Sequence, residues 1–135
     1  TLKMYVFLVR RSRLQMYIFM VQRNVYHRTL SSRVLKYIAD GRFDALVSEF
    51  RSYRKVIAPT LKHLLGQMHG DPLEELKNLY QRGGACYILR VLLNRAEMLL
   101  PYANGRNQIE LMRTIKILRS LLRERGCLGG LPWST

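Results

Sequence analysis

Apolar residues recur at helical spacing through most of this chain, and turn residues cut the pattern into short segments. Ser31 or Ser32 caps a first helix running to about Ala39, and Asp40-Gly41 breaks it. Phe43, Leu46, Val47 and Phe50 then recur at i, i+3, i+4 and i+7, one face of a second helix. Pro59 fits the first turn of a third, through Leu61, Leu64 and Leu65, and Gly66 and Gly70 loosen its end. Asp71-Pro72 followed by Glu74 and Glu75 opens a fourth. It combines a capping side chain, a proline in the first turn and carboxylates at the positive end of the dipole.

Gly83-Gly84 closes that fourth helix. Residues 85–100 form the most apolar long segment, with Arg90, Asn94 and Glu97 as a narrow polar stripe, and Pro101 stops it. After an Asn104-Gly105 turn, a last helix spans about Asn107 to Arg125. Leu111, Ile115, Leu118 and Leu122 make its inner seam, while Arg113, Lys116, Arg119 and Arg123 lie on the other side. Gly126 suits the position just past its end. The tail GGLPWST reads as an extended arm anchored by Trp133.

Six helices joined by short turns imply antiparallel neighbours, so the expected fold class is all-α. Gly41, Gly70 and Gly105 each open the second helix of a hairpin, at spacings of 29 and 35 residues. That period suggests stacked antiparallel hairpins, a short α-solenoid-like array. The expected organisation is a basic N-terminal extension (1–30), a helical-hairpin domain (31–126) and a C-terminal arm (127–135).

In the extension, MYVFLV (4–9) and MYIFMV (16–21) are near copies separated by RRSRLQ. Each is shorter than the roughly 20 apolar residues that a membrane span needs. The arginines between them exclude a fused transmembrane helix. A β-hairpin, or a long helix apolar nearly all round, both fit these runs.

Charge changes the picture. The 135 residues carry a net charge of +14, and 48% are hydrophobic, which excludes disorder driven by composition. The first acidic residue is Asp40. Before it lie Lys3, Arg10, Arg11, Arg13, Arg23, Arg28, Arg33 and Lys36, which repel one another without a counter-charge. An outside polyanion resolves this, because each cation can replace a condensed counterion on a phosphate backbone. Tyr5, Phe7, Tyr17, Phe19 and Tyr26 are interleaved with them, as in RNA backbone binding with base stacking. Packing of these aromatics, with only the cations facing a partner, is the simpler account. Arg51, Arg54 and Lys55 cluster at a helix end, where compensation of its dipole is an alternative explanation. Lys116, Arg119 and Arg123 complete the candidate RNA-binding set.

Two stretches, GRFDALVSEFRSY (41–53) and GDPLEELKNLYQRG (70–83), resemble the second helix of a pentatricopeptide repeat. GRNQIELMRTIKILRSLLRERG (105–126) is a looser third. Each starts with Gly, places small or apolar residues on an inner face, and runs to a Gly or turn. The resemblance covers residues 31–126, and the 29-residue spacing departs from the family's regular period. It implies binding of single-stranded RNA, in mitochondria or chloroplasts. No base-reading residue is carried over.

Catalytic signals are few. His27, His63 and His69 are scattered without zinc-ligand spacing, and no phosphate-binding glycine loop appears. Asp71, Glu74 and Glu75 are accounted for as helix-start residues. Neither an enzyme nor a cofactor is expected. Cys86 and Cys127 form no CxxC pair and read as two free thiols of an intracellular protein; a disulfide between them would imply an oxidising compartment. No stretch resembles a secretory signal, and the acid-free, Arg-rich start has the composition of a mitochondrial presequence.

The expected function is that of a structural, RNA-contacting subunit of a large ribonucleoprotein, a ribosomal protein of the mitochondrial matrix. It would act on rRNA and neighbouring proteins by charge neutralisation and packing, with no small-molecule substrate. The alternative is a non-catalytic accessory subunit of a mitochondrial inner-membrane complex, its cations on anionic headgroups.

Overall fold

The computed structural model describes residues 28–66 and 70–127. The two apolar runs of the extension, with Lys3, Arg10, Arg11, Arg13 and Arg23, lie outside these residues, as does the tail from 128. The elements are α1 (Ser32–Ala39), α2 (Phe43–Glu49), a π-helical turn (Tyr53–Ile57), α3 (Ala58–Leu65), α4 (Pro72–Leu99), a 3-10 turn (Leu100–Tyr102) and α5 (Arg106–Glu124). Among the described residues there is no strand, and the fold is all-α.

Local chemistry sets the boundaries. The Ser31 side chain accepts a hydrogen bond from Val34 N at the start of α1, and Asp71 accepts from Leu73 N at the start of α4. Each side chain satisfies an otherwise orphaned amide. Pro59 lies in the first turn of α3, directly after the π-helical turn Tyr53–Ile57, whose wider hydrogen-bonding spacing adjoins the missing N–H. α4 is broken in direction: Gly84 has non-helical φ 73° and ψ −159°, so the element is two helical arms that meet at a kink.

Gly41 is required for a further reason. Its φ is +70°, and a Cβ there would sit 2.9 Å from the Tyr80 ring. The α1–α2 turn therefore lies directly on α4, where Phe43 also meets Tyr80 edge-on at 6.1 Å. Gly41→Ala is expected to lower stability by about 1–3 kcal/mol, from left-handed strain plus the clash. Urea denaturation checks this, and an unchanged midpoint would show that the turn re-forms off the ring.

Packing centres on α4. α1, α3 and α5 all lie against it, and its buried face holds Leu76, Leu79, Ile88, Leu89, Leu92, Leu93, Ala96 and Leu99. α1 also touches α5, so the first hairpin meets the last helix. The two run side by side in the same direction. Leu30 N donates to Thr114 Oγ1 at 3.0 Å near one end, and Arg125 pairs with Asp40 at 2.8 Å at the other.

Residues 28–30 are held by the helical body. Arg28 N donates to Thr60 Oγ1 at 3.2 Å, and Thr29 N to Glu110 Oε2 at 2.7 Å. The Thr29 hydroxyl also hydrogen-bonds that carboxylate, and Leu30 is fully buried.

Three sequence expectations are corrected. Val47, assigned to the inner face of α2, is 40% exposed, because α2 is only two turns long and buries just Phe43 and Leu46. The polar stripe of residues 85–100 is wider than expected, with Arg95 and Met98 exposed beside Asn94 and Glu97. The cysteines are not free: Cys86 and Cys127 form a disulfide with Cα atoms 5.4 Å apart. Gly126, at φ 69°, turns the chain after α5 so that Cys127 comes back onto the start of the second arm of α4.

Candidate nucleic-acid interface

α5 sorts its side chains cleanly. Leu111, Thr114, Ile115, Leu118, Leu121 and Leu122 are buried, while Arg106, Arg113, Lys116, Arg119 and Arg123 stand on the exposed side. From Arg106 to Arg123 this cationic stripe is about 26 Å long, at 1.5 Å rise per residue. Arg106 was not foreseen, and Arg113, although placed on the outer side, was not chosen as a binding residue. The signal was present: Arg106/Arg113 and Lys116/Arg123 are each seven residues apart, two turns on one face.

The carboxylates that could neutralise the body are largely engaged. Glu49 pairs with Arg33 and accepts a hydrogen bond from Tyr37. Glu97 pairs with Arg119 at 2.8 Å, Asp40 with Arg125, and Glu110 lies 3.8 Å from Arg106. Asp71 is occupied as a cap. Of the expected RNA-binding residues, Arg33 and Arg119 are thus partnered within the protein. Lys36, Arg51, Arg54, Lys55, Lys116 and Arg123 are exposed and make no ion pair among the described residues. Arg28 is exposed on the segment that crosses to α5.

Arg54 and Lys55 are placed differently from the expectation. α2 ends at Glu49, and both residues belong to the π-helical turn that runs straight into α3. They stand at the front of a helix, where its dipole disfavours cations. Dipole compensation therefore does not explain them.

Glu110 is the one buried carboxylate, and its role is mechanical. The hydrogen bonds from Thr29 hold its carboxyl below the ordinary value of 4.5, against the opposing effect of burial. A lowered folded-state value means that the contribution is complete above the unfolded value and fades as pH falls through the folded one. Amide exchange at Thr29 and Leu30 should therefore accelerate below about pH 4.5 relative to the core of α4. In Glu110→Gln that dependence should vanish; persistence would assign it to another group.

His63 is buried on α3, and no group of metal-ligating side chains occurs among the described residues. No helix among them is long and apolar enough to cross a membrane. Neither a protein-family model nor a curated protein nor a solved structure matches the chain, so its function is argued from its own residues.

Proposed function

We propose that this protein is a structural RNA-contacting subunit of a large ribonucleoprotein; the Cys86–Cys127 disulfide argues against the reducing mitochondrial matrix, so that location is not carried into the reading. The observation that carries this reading is the charge accounting of the body. Residues 28–127 hold eighteen lysines and arginines against nine carboxylates, and at least five of those carboxylates are already engaged. The surplus stands exposed on α5, on α1 and on the π-helical turn. Surplus cations at the front of α3, against its own dipole, are what an external polyanion would stabilise. The acid-free extension adds five more cations ahead of Arg28.

In this reading α5 lays its stripe along phosphates, and the hairpins form a short array resembling pentatricopeptide units. The contact of α1 with α5 would make that array compact, in contrast to an open solenoid whose repeats touch only their neighbours. Binding neutralises charge and fixes shape, with no bond made or broken.

The test is binding of the full chain to structured RNA across a salt series. Each phosphate contact contributes about −0.9 to the log–log slope, so five contacts by the body alone should give a slope near −4.5, and contacts by the extension should steepen it further. A flat response would remove the reading. Sedimentation of the protein with ribosomal particles supports it. Recovery with detergent-solubilised inner-membrane complexes supports the accessory-subunit alternative instead.

A further inference from the structure

Five large apolar residues stand out as exposed in the described body: Val47, Met98, Tyr102, Ile109 and Met112. Four of the five fall within fifteen residues, around the connection from α4 to α5. Met98, Tyr102, Ile109 and Met112 are 40%, 48%, 50% and 54% exposed. Isolated exposed apolar side chains are ordinary, but such a concentration at one hairpin end is not.

The four lie at the same end of the α4–α5 hairpin. Met98 and Tyr102 are four residues apart on the last turns of α4 and the 3-10 turn, and Ile109 and Met112 are three apart on α5. Arg119 lies two turns along from Met112 on the same side of α5. Its ion pair with Glu97, the neighbour of Met98, puts these flanks of the two helices on one side of the hairpin. Pro101, Asn104 and Gly105 are exposed between them, so the connection from α4 to α5 is solvent-facing.

Its charge selects the partner. Residues 98–109 contain no carboxylate. Glu97 and Glu110 bracket the tip, and both are engaged, with Arg119 and with Thr29. Arg106, Arg113 and Lys116 stand on the exposed side of α5 around Ile109 and Met112. An exposed apolar hairpin end rimmed by cations, with a tyrosine among its side chains, matches the interface of an anionic bilayer. Apolar side chains enter to about 5–10 Å there, while the cations meet headgroups. We propose that the α4–α5 tip is a membrane-surface contact that inserts Met98, Tyr102, Ile109 and Met112 into an anionic lipid leaflet without spanning it. Arg113 and Lys116 stand on the same exposed face of α5 as the stripe proposed to meet phosphates, so this proposal shares cations with the RNA reading and adds the apolar side chains, which phosphate binding does not require.

The test is flotation of the full chain with phosphatidylcholine vesicles, with and without phosphatidylserine. Binding is expected only with phosphatidylserine. Ile109→Ser with Met112→Ser should weaken it by about tenfold or more, and Arg113→Gln with Lys116→Gln by a similar factor. All four side chains are exposed, so thermal unfolding should not change. With Trp133→Phe as background, Tyr102→Trp should show blue-shifted emission on adding anionic vesicles. The proposal fails if no vesicle floats the protein, if both compositions float it equally, or if the serine variants float unchanged. It also fails if those variants lose RNA and vesicle binding together, which would make the tip part of the RNA surface. Flotation lost with RNA affinity intact supports it.

Discussion

Replacing Cys86 and Cys127 with alanine should lower the stability of the helical body by about 4 kcal/mol. The bond closes a loop of 41 residues, and loop-closure entropy of that length accounts for the figure. The loop is the α4–α5 hairpin itself. Without the bond, the second arm of α4 and the end of α5 are tied only by packing, and the Gly84 break leaves that arm free to swing. For a body of this size the melting temperature should drop by roughly 15–30 °C. Maleimide labelling checks the premise: the native protein should take up no label until a dithiol reductant is added. Full labelling without reductant, with an unchanged melting temperature in the double variant, would refute the disulfide.

Removing residues 1–27 should leave folding intact and cost most of the RNA affinity. Leu30 is buried and Thr29 is bonded to Glu110, so the cut belongs before Arg28. The core formed by the described residues then keeps all of its members, and unfolding should remain cooperative. The five cations removed, Lys3, Arg10, Arg11, Arg13 and Arg23, would reduce the salt slope by up to about 4.5 if all meet phosphate. At 0.1 M salt, that corresponds to a loss on the order of 100-fold or more. Arg10→Glu, Arg11→Glu and Arg13→Glu together should reproduce much of it with unchanged helicity. If the truncated chain binds with the original slope, α5 and the π-helical turn carry the contact alone.

Much of this fold was legible because its signals are local. Ser31, Asp71-Pro72, Gly41 and Gly126 each act within a turn of their own position, and each marks a boundary where expected. The seam of α5 follows from spacing alone. What the sequence hid is long-range. Nothing near Cys86 shows that Gly126 will return Cys127 to it. Nothing near Thr29 shows that its partner is Glu110, 81 residues away. Val47 fits the periodicity of α2, yet no element covers it, because periodicity gives a face and not a neighbour. The α5 stripe was half legible: Lys116, Arg119 and Arg123 were recognised, Arg106 was not. Only the structure shows that Arg119 is paired with Glu97.

The bond between Leu30 and Thr114 has a consequence for synthesis. Its two ends are 84 residues apart in the chain. At 5–20 residues per second, the amide of Leu30 waits roughly 4–17 s for its acceptor to be made. During that interval the acceptor for the Leu30 amide is missing, and two strongly apolar runs lie just upstream of Leu30. Helices α1 and α2 can form at once, but the surface of α5 on which α1 docks is the last to appear. The nascent chain is therefore a natural client for a holding chaperone, and slowing translation should raise its aggregation.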